Sequence, residues 1–180
     1  MLTLFTALCG ACDHAEPGGG PRVLEPFPKT NFELLVQDNV PSATSPGSLN
    51  LLLSNTSQSR TLLAALPRFH LNLTLRKIDG TPLPGRKGIG NLAFGPGEVV
   101  SLAPNGSVRC VVPLDTVCDW ARVQTGEYHC QLVYDDTQYN RTAQSMGWSK
   151  KSTAGKCASN LFTVKVRFGQ PPYIVQVDRG

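Results

Sequence analysis

The sequence lacks any long apolar run, since none of its 180 residues fall in a stretch of 18 consecutive apolar residues. Its C-terminal stretch, PPYIVQVDRG, has neither a hydrophobic anchor tail nor a cluster of stop-transfer charges. We therefore expect no transmembrane segment in this chain. The sequence predicts a secreted protein or an ectodomain at the extracellular face of the cell surface.

Catalytic motifs are also missing. The sequence contains no G-x-S-x-G, no H-E-x-x-H and no cluster of residues with metal-ligand spacing. Its three histidines are His14, His70 and His129, and alternation predicts that the last two lie on outward faces of strands. We predict no enzymatic activity, no cofactor and no metal site.

Two short motifs have a structural interpretation that we favour over a functional one. Cys9-Gly-Ala-Cys12 has the spacing of a redox motif, but it lies in an apolar N-terminal run rather than between a strand and a helix. Gly88-Ile-Gly90 follows no parallel-strand pattern and opens no helix, so a phosphate-binding loop is not expected. It belongs instead to a Gly/Pro-rich segment, Asp79–Gly97, that we interpret as a long exposed loop.

The charge pattern contains no basic stripe. The formal net charge is +4, and the basic residues occur as scattered pairs, namely Arg76-Lys77, Arg86-Lys87 and Lys150-Lys151. Nucleic-acid binding usually requires basic residues clustered on one face. Nucleic acid is therefore not an expected partner.

The N-terminus resembles a secretory signal. An apolar run from Leu2 to Ala11 is followed by small residues and then by a Pro/Gly-rich polar segment. Cleavage after Ala11 fits the small-x-small rule, whereas cleavage after Ala15 leaves an even set of cysteines; a buried N-terminal strand is the alternative. We predict a signal peptide over residues 1–15, a flexible leader over 16–30 and a single domain over 31–180.

Four N-x-[ST] sequons support a secretory route. The most informative lies in RFHLNLTL, where apolar and polar residues alternate and place Asn72 on the solvent face of a strand. Glycans and disulfides both form in the oxidising lumen. We predict glycosylation at Asn55, Asn72, Asn105 and Asn140.

The pattern of short elements predicts an all-β chain. The sequence contains 17 glycines and 14 prolines, which favour many turns. Only residues 57–67, SQSRTLLAALP, suggest a helical turn or two. We expect strands at residues 32–36, 48–54, 68–78, 98–103, 107–112, 127–134, 161–168 and 173–177.

The stretch EYHCQLVY places Tyr128, Cys130, Leu132 and Tyr134 on one face, which we expect to be buried. Tyr-x-Cys is typical of an immunoglobulin-like antiparallel β-sandwich, and this is the fold we predict. The usual upstream partner is absent, since no cysteine lies between Cys12 and Cys110.

We predict that the disulfide cysteines are Cys110, Cys118, Cys130 and Cys157. Four cysteines allow three pairings, and sequence alone cannot choose among them. The most local arrangement pairs Cys130 with Cys157 and leaves Cys110 to pair with Cys118.

The stretch from Asn105 to Ser149 resembles the membrane-proximal ectodomain of the uroplakin III group. The features that match are an Asn-Gly-Ser sequon, two nearby cysteines, a Gly-Glu-Tyr strand start, an alternating strand, a polar turn and Trp-Ser. They fall on Cys110, Cys118, Tyr128, Trp148 and Ser149. A second stretch, Leu62 to Leu75, is similar to uroplakin II.

The resemblance implies a membrane-associated surface glycoprotein that pairs with a tetraspanin and helps to assemble a membrane plaque. This chain departs from that pattern because Cys130 and Cys157 are additional and a strand-like stretch replaces the membrane helix expected after Trp148-Ser149.

Two kinds of function follow from the sequence: a uroplakin-like assembly component, and a secreted immunoglobulin-like binding module that acts as adhesion protein, soluble receptor or ligand. In both, the partner is another protein, such as a tetraspanin or another cell-surface protein. Two loops are candidates for the contact, Asp79–Gly97 and the polar turn Asp135–Asn140. The second ends in a sequon and the first holds none, so we predict that Arg86 and Lys87 form the contact loop.

Overall fold

The computed structural model describes residues 30–37, 47–66, 70–81, 83 and 98–178. Within these residues the chain forms strands joined by turns and one α-helix. In chain order the elements are β1 (Phe32–Gln37), β2 (Ser48–Asn55), β3 (Leu62–Ala65), β4 (Leu71–Lys77), β5 (Val99–Leu102), β6 (Ser107–Pro113), β7 (Gly126–Asp135), α1 (Thr137–Ser145), β8 (Lys156–Ala158), β9 (Phe162–Val166) and β10 (Tyr173–Val177).

The strands form two main antiparallel sheets and a small ribbon. The first sheet has the order β1-β2-β6, and the second has the order β10-β9-β7-β4, with β8 also pairing with β7. The ribbon consists of β3 and β5. The prediction of an all-β fold is therefore confirmed.

The inward-facing side chains of the two sheets pack together in one hydrophobic core. In β2, Leu49, Leu51 and Leu53 are completely buried, while Asn50 between them is exposed, as expected for a strand with one face on the core. The rings of Phe32 in β1 and Tyr134 in β7 lie 5.0 Å apart and join the sheets. Apolar residues of both sheets belong to the same buried cluster.

Strand β7 is the centre of the second sheet. The four residues predicted to point inward, Tyr128, Cys130, Leu132 and Tyr134, are all buried. The far end of the strand is also covered on its other face, where the Gln131 side-chain amide donates to the Ser159 carbonyl at 2.9 Å. This second covering explains why β7 is buried at every position from Cys130 to Tyr134.

The helical turn predicted within residues 57–67 is wrong. Residues Leu62–Ala65 form strand β3, which pairs antiparallel with β5 from Leu62 opposite Leu102 to Ala65 opposite Val99. Leucine and alanine favour helices, but four residues are too few to nucleate one. Pairing with β5 therefore decides the local structure.

Helix α1 was not predicted, because residues 135–140 read as a polar turn. Tyr139 and Ala143 are four positions apart, and they bury the same face of the helix against Ala65. The helix ends at Ser145, and Gly147, two residues later, has a φ of +67°, a left-handed conformation that glycine adopts readily. The Trp148 amide then donates to the Ala143 carbonyl at 2.8 Å.

Several predictions concern residues outside the described ranges. The signal peptide and almost all of the leader lie in residues 1–29, and most of the Asp79–Gly97 loop is also outside. Of that loop, residues 79–81 and 83 are described. Arg86 and Lys87 are therefore not placed by the structure.

Candidate interaction site

The chain between β7 and β8 carries α1 and is anchored to β3. We name residues 137–156 the basic connection. The Ser152 hydroxyl donates to the Leu63 carbonyl at 3.0 Å, and the Thr153 amide donates to the same carbonyl at 2.6 Å. The Leu63 amide in turn donates to the Thr153 hydroxyl at 2.9 Å. These bonds fix the end of the basic connection on the ribbon.

The helix is tied to the chain that follows it. The Ser152 amide donates to Asn140 Oδ1 at 2.8 Å, and Asn140 Nδ2 donates to the Ser152 carbonyl at 3.0 Å. The Tyr139 hydroxyl also donates to the Lys150 carbonyl at 3.4 Å. Residues 139–140 of the helix therefore lie directly against residues 150–152.

His70 lies beneath this helix. Its ring makes edge-on contacts with Tyr134 and Tyr139, at centroid distances of 6.2 and 5.7 Å. Burial lowers the pKa of His70 to about 4, although the nearby carboxylates of Asp136 and Asp135 oppose that change. The imidazole is thus neutral at physiological pH.

The prediction that His70 points outward is wrong. His70 is 5% exposed, and it precedes the first residue of β4, so strand alternation does not govern it. His129 does lie on the outer face of β7, where its Nδ1 is 3.3 Å from the Thr163 hydroxyl. The two histidines therefore belong to different environments.

Asp136, which directly precedes the basic connection, is hydrogen-bonded to the end of that connection. Its side chain is buried, and its Oδ2 accepts a hydrogen bond from the Gly155 amide at 2.9 Å. The Asn140 amide donates to the Asp136 carbonyl within the first turn of α1. This carboxylate has a structural role that a polar turn would not require.

The exposed side of the connection is basic. Residues 137–156 contain four basic residues and no acidic residue. The chain has 17 basic residues in all, and the other 13 are matched by its 13 acidic residues. The formal net charge of +4 therefore corresponds to this segment alone. Arg141, Lys150 and Lys151 are exposed, while Lys156 lies 3.8 Å from Asp135.

The four sequon asparagines have different environments. Asn72 is exposed on β4, and Asn105 is exposed in the turn between β5 and β6. Asn55 is 1% exposed, and its Nδ2 donates to three backbone carbonyls at 2.7 to 3.0 Å. The Asn140 amide is bonded to Ser152. The folded structure leaves Asn72 and Asn105 accessible to a glycan, whereas Asn55 and Asn140 use the glycan-bearing nitrogen for structure.

The described cysteines, Cys110, Cys118, Cys130 and Cys157, are all free thiols in the structure. Cys157 lies opposite Tyr134, four residues beyond Cys130 along β7. At about 3.3 Å per residue the offset is about 13 Å, well beyond the ~7 Å limit between Cα atoms in a disulfide. The predicted Cys130–Cys157 pairing is incompatible with this register.

Sequence reasoning missed the structural asparagines and the helix. The spacing of Tyr139 and Ala143, the acidic residues before Thr137 and the following Gly147 together are a helix signal. Asn55 gave no such signal, because its partners are distant carbonyls of Leu102 and Ala103.

The described residues offer neither a metal-binding cluster nor a membrane-spanning helix. Among the described residues, no group of three or more His, Cys, Asp or Glu side chains could hold a metal ion. In the same ranges, no helix is both long and apolar enough to cross a bilayer.

Comparison with known proteins gave no match. No protein-family profile, no curated protein and no solved structure is significantly similar to this chain. The resemblance to the uroplakin III group therefore stays a prediction from the sequence.

Proposed function

We propose that the chain is an immunoglobulin-like sandwich that acts as a non-enzymatic extracellular binding module. In such domains one sheet contains strands A, B and E, and the other contains G, F and C. The order β1-β2-β6 corresponds to A-B-E, and the order β9-β7-β4 corresponds to G-F-C. The same strands also follow one another along the chain in the expected sequence.

The observation that carries the proposal is the bond between Tyr128 and Gln124. The Tyr128 hydroxyl donates to the Gln124 carbonyl at 2.7 Å, and Tyr128 precedes Cys130 by two residues. A tyrosine at this position of strand F, bonded to the backbone a few residues upstream, is the tyrosine corner of Greek-key sandwiches. This feature links the Tyr-x-Cys sequence to a specific tertiary contact.

Two departures define what kind of module this is. The inward positions of β2 are leucines rather than cysteine, so packing replaces the usual disulfide between the sheets. The connection that corresponds to the F–G loop contains helix α1. Loops at this end of a sandwich commonly carry recognition, because a rigid framework holds them in place.

An extracellular location is supported by the apolar N-terminus and by two accessible sequons, at Asn72 and Asn105. Its partner is then another cell-surface or secreted protein. A tetraspanin is the partner that the uroplakin resemblance suggests.

Expression of the full chain in a secretory cell line tests this proposal. We expect the protein in the medium without Met1, and glycosidase treatment should lower its mass through glycans mapped to Asn72 and Asn105. Retention in the cytosol with Met1 intact and no change in mass would refute the extracellular assignment.

Partner capture tests the binding role and the contact loop predicted from sequence. Epithelial surface extracts are passed over the wild type and over the Arg86→Glu/Lys87→Glu variant. Loss of a partner in the variant would support that loop as the contact surface. Capture of the same partners by both proteins would exclude it.

A further inference from the structure

We propose that the basic connection binds a sulfated polysaccharide of the heparan type. This inference extends the proposed function, since such polysaccharides occur outside the cell, and it adds a second ligand beside a protein partner. It is carried by three exposed cations, Arg141, Lys150 and Lys151, whose backbone positions are brought close together by the bonds between Asn140 and Ser152.

The fold brings these cations together although they are nine and ten residues apart in sequence. The two hydrogen bonds between the Asn140 side chain and Ser152 hold the helix against the strand-like chain. Arg141 directly follows Asn140, and Lys151 directly precedes Ser152. The Lys150 carbonyl accepts a hydrogen bond from the Tyr139 hydroxyl, which holds Lys150 against the same helix.

A further cation borders this surface. Arg60 is exposed, and it lines a concavity of about 430 Å³ together with Thr153, which follows Ser152. No acidic residue lies between Thr137 and Lys156. Binding of a polyanion would release its counterions here without competition from neighbouring carboxylates of the segment.

The composition of the surface favours a polysaccharide over a protein. Cores of protein interfaces are depleted in lysine and serine, whereas the exposed residues of this surface are mainly lysine, arginine, serine, threonine and glutamine. Met146 is its one large apolar side chain that is mostly exposed among the described residues of the connection. Hydroxyl and amide side chains can bond sugar hydroxyls, while the cations bind sulfate groups.

The same features disfavour nucleic acid and membrane as ligands. Trp148 packs against Tyr139, with ring centroids 5.8 Å apart, so it is not a free stacking surface for bases. A single methionine offers little apolar area for insertion into a bilayer.

The sequon at Asn140 bears on access to this surface. In the folded chain, Asn140 Nδ2 is bonded to the Ser152 carbonyl, and a glycan would leave that nitrogen a single N–H and crowd the bond. We therefore expect no covalent sugar beside Arg141 to shield the cations.

The experiment measures binding of the purified full chain to heparin as a function of salt concentration. The test variant is Lys150→Gln/Lys151→Gln. The control is Arg109→Gln/Arg122→Gln, which has the same net charge but changes two exposed cations outside the basic connection. Chemically desulfated heparin, a single-stranded oligonucleotide and phosphatidylserine vesicles serve as alternative ligands.

We expect the wild type and the control to bind heparin well above physiological salt. The test variant should bind at least ten-fold more weakly, and the slope of log K against log salt should fall by about two, one for each lost ionic contact. Equal binding by the two double variants, or equal binding to desulfated heparin, would overturn the proposal. Tighter binding of the oligonucleotide or the vesicles would overturn it in favour of that ligand.

This result is independent of the secretion test. If the chain proves cytosolic, purified protein can still bind heparin, and the proposed function fails while the binding surface stands. If the chain is secreted but does not bind heparin, the polysaccharide proposal alone fails.

Discussion

The Asn140 side chain makes two hydrogen bonds with the backbone of Ser152, as a neighbouring strand would. Its Oδ1 accepts from the Ser152 amide at 2.8 Å, and its Nδ2 donates to the Ser152 carbonyl at 3.0 Å. This pair joins α1 to the chain before β8. It also explains why a residue within a glycosylation motif is half-buried. The first prediction concerns this relationship.

Replacing Asn140 with alanine should lower the free energy of unfolding by about 1–3 kcal/mol, because two backbone groups of Ser152 lose their partner. The matched control is Thr142→Ala, which removes the sequon but keeps the amide. We expect it to change stability by less than about 0.5 kcal/mol. Urea denaturation measures both, and equal losses would contradict a structural role for Asn140.

Asn55 should be the most sensitive of the four sequon asparagines. The variant Asn55→Ala removes the buried donor to the Leu102 carbonyl, together with the bonds to the Arg60 and Ala103 carbonyls, and should cost about 3 kcal/mol. Asn72→Ala also removes a sequon, but Asn72 is exposed, so its cost should be within about 0.5 kcal/mol. Thermal unfolding of both variants checks the difference. A larger loss for Asn72 would show that burial is not the cause.

The tyrosine corner predicts that removal of one hydroxyl group lowers the free energy of unfolding. Tyr128→Phe removes the bond to the Gln124 carbonyl and should reduce the free energy of unfolding by about 1 kcal/mol. Tyr173→Phe is the control, because the Tyr173 ring contacts Arg167 through its face and keeps that contact as phenylalanine. Chemical denaturation that finds no difference between the two variants would argue against the corner.

His70 should make stability depend on pH. Burial lowers its pKa from 6.5 to about 4 in the folded protein, so between these values the unfolded chain binds more protons. Its neutral form contributes fully above pH 6.5, and stability then falls as the pH drops towards 4, by at most about 3 kcal/mol. His70→Gln should flatten the curve of unfolding free energy across that range. Curves of equal slope for wild type and variant would refute this.

The cysteine thiols should be unreactive in the folded protein. Burial raises the pKa of Cys110 to about 11 and that of Cys157 to about 12, and burial also raises the pKa of Cys130. Few thiolates therefore exist at pH 8. Peptide mapping of reduced protein should find iodoacetamide on Cys110, Cys130 and Cys157 at pH 8 only after unfolding. Rapid labelling of these three residues in the native protein would contradict this burial.

Disulfide mapping of protein secreted through an oxidising compartment gives a second test of where these cysteines lie. Cys118 and Cys130 are both buried in the same hydrophobic core. We expect peptide mapping to find no bond between Cys130 and Cys157, because the register of β7 and β8 separates them. Recovery of that bond would mean that the secreted protein has a different strand register.

Much of the sheet structure could be predicted from the sequence. Strands β1, β2 and β7 alternate apolar and polar residues over at least part of their length, and a period of two fixes both the strand and its buried face. Residues 62–65 and 137–145 could not be assigned in the same way. Both are short, and their structure depends on distant partners: β5 for the first, and Ala65 for the second.

The candidate site was less predictable than the fold. The pair Lys150-Lys151 was visible in the sequence, but its proximity to Arg141 depends on the bonds between Asn140 and Ser152. The predicted contact residues Arg86 and Lys87 lie outside the described ranges. A surface formed by residues from separate elements has no spacing rule, so a linear pattern cannot reveal it.

The sequence by itself determined that β1, β2 and β7 are strands and which side of β7 faces the core, because alternation is a local property of a pleated chain. Only the tertiary structure decided that Asn55 is buried, that His70 is enclosed by Tyr134 and Tyr139, and that Arg141 lies close to Lys150 and Lys151. The physical reason is that burial and hydrogen bonding depend on which distant groups the packed sheets bring within a few ångströms, and identical sequence motifs can meet different neighbours.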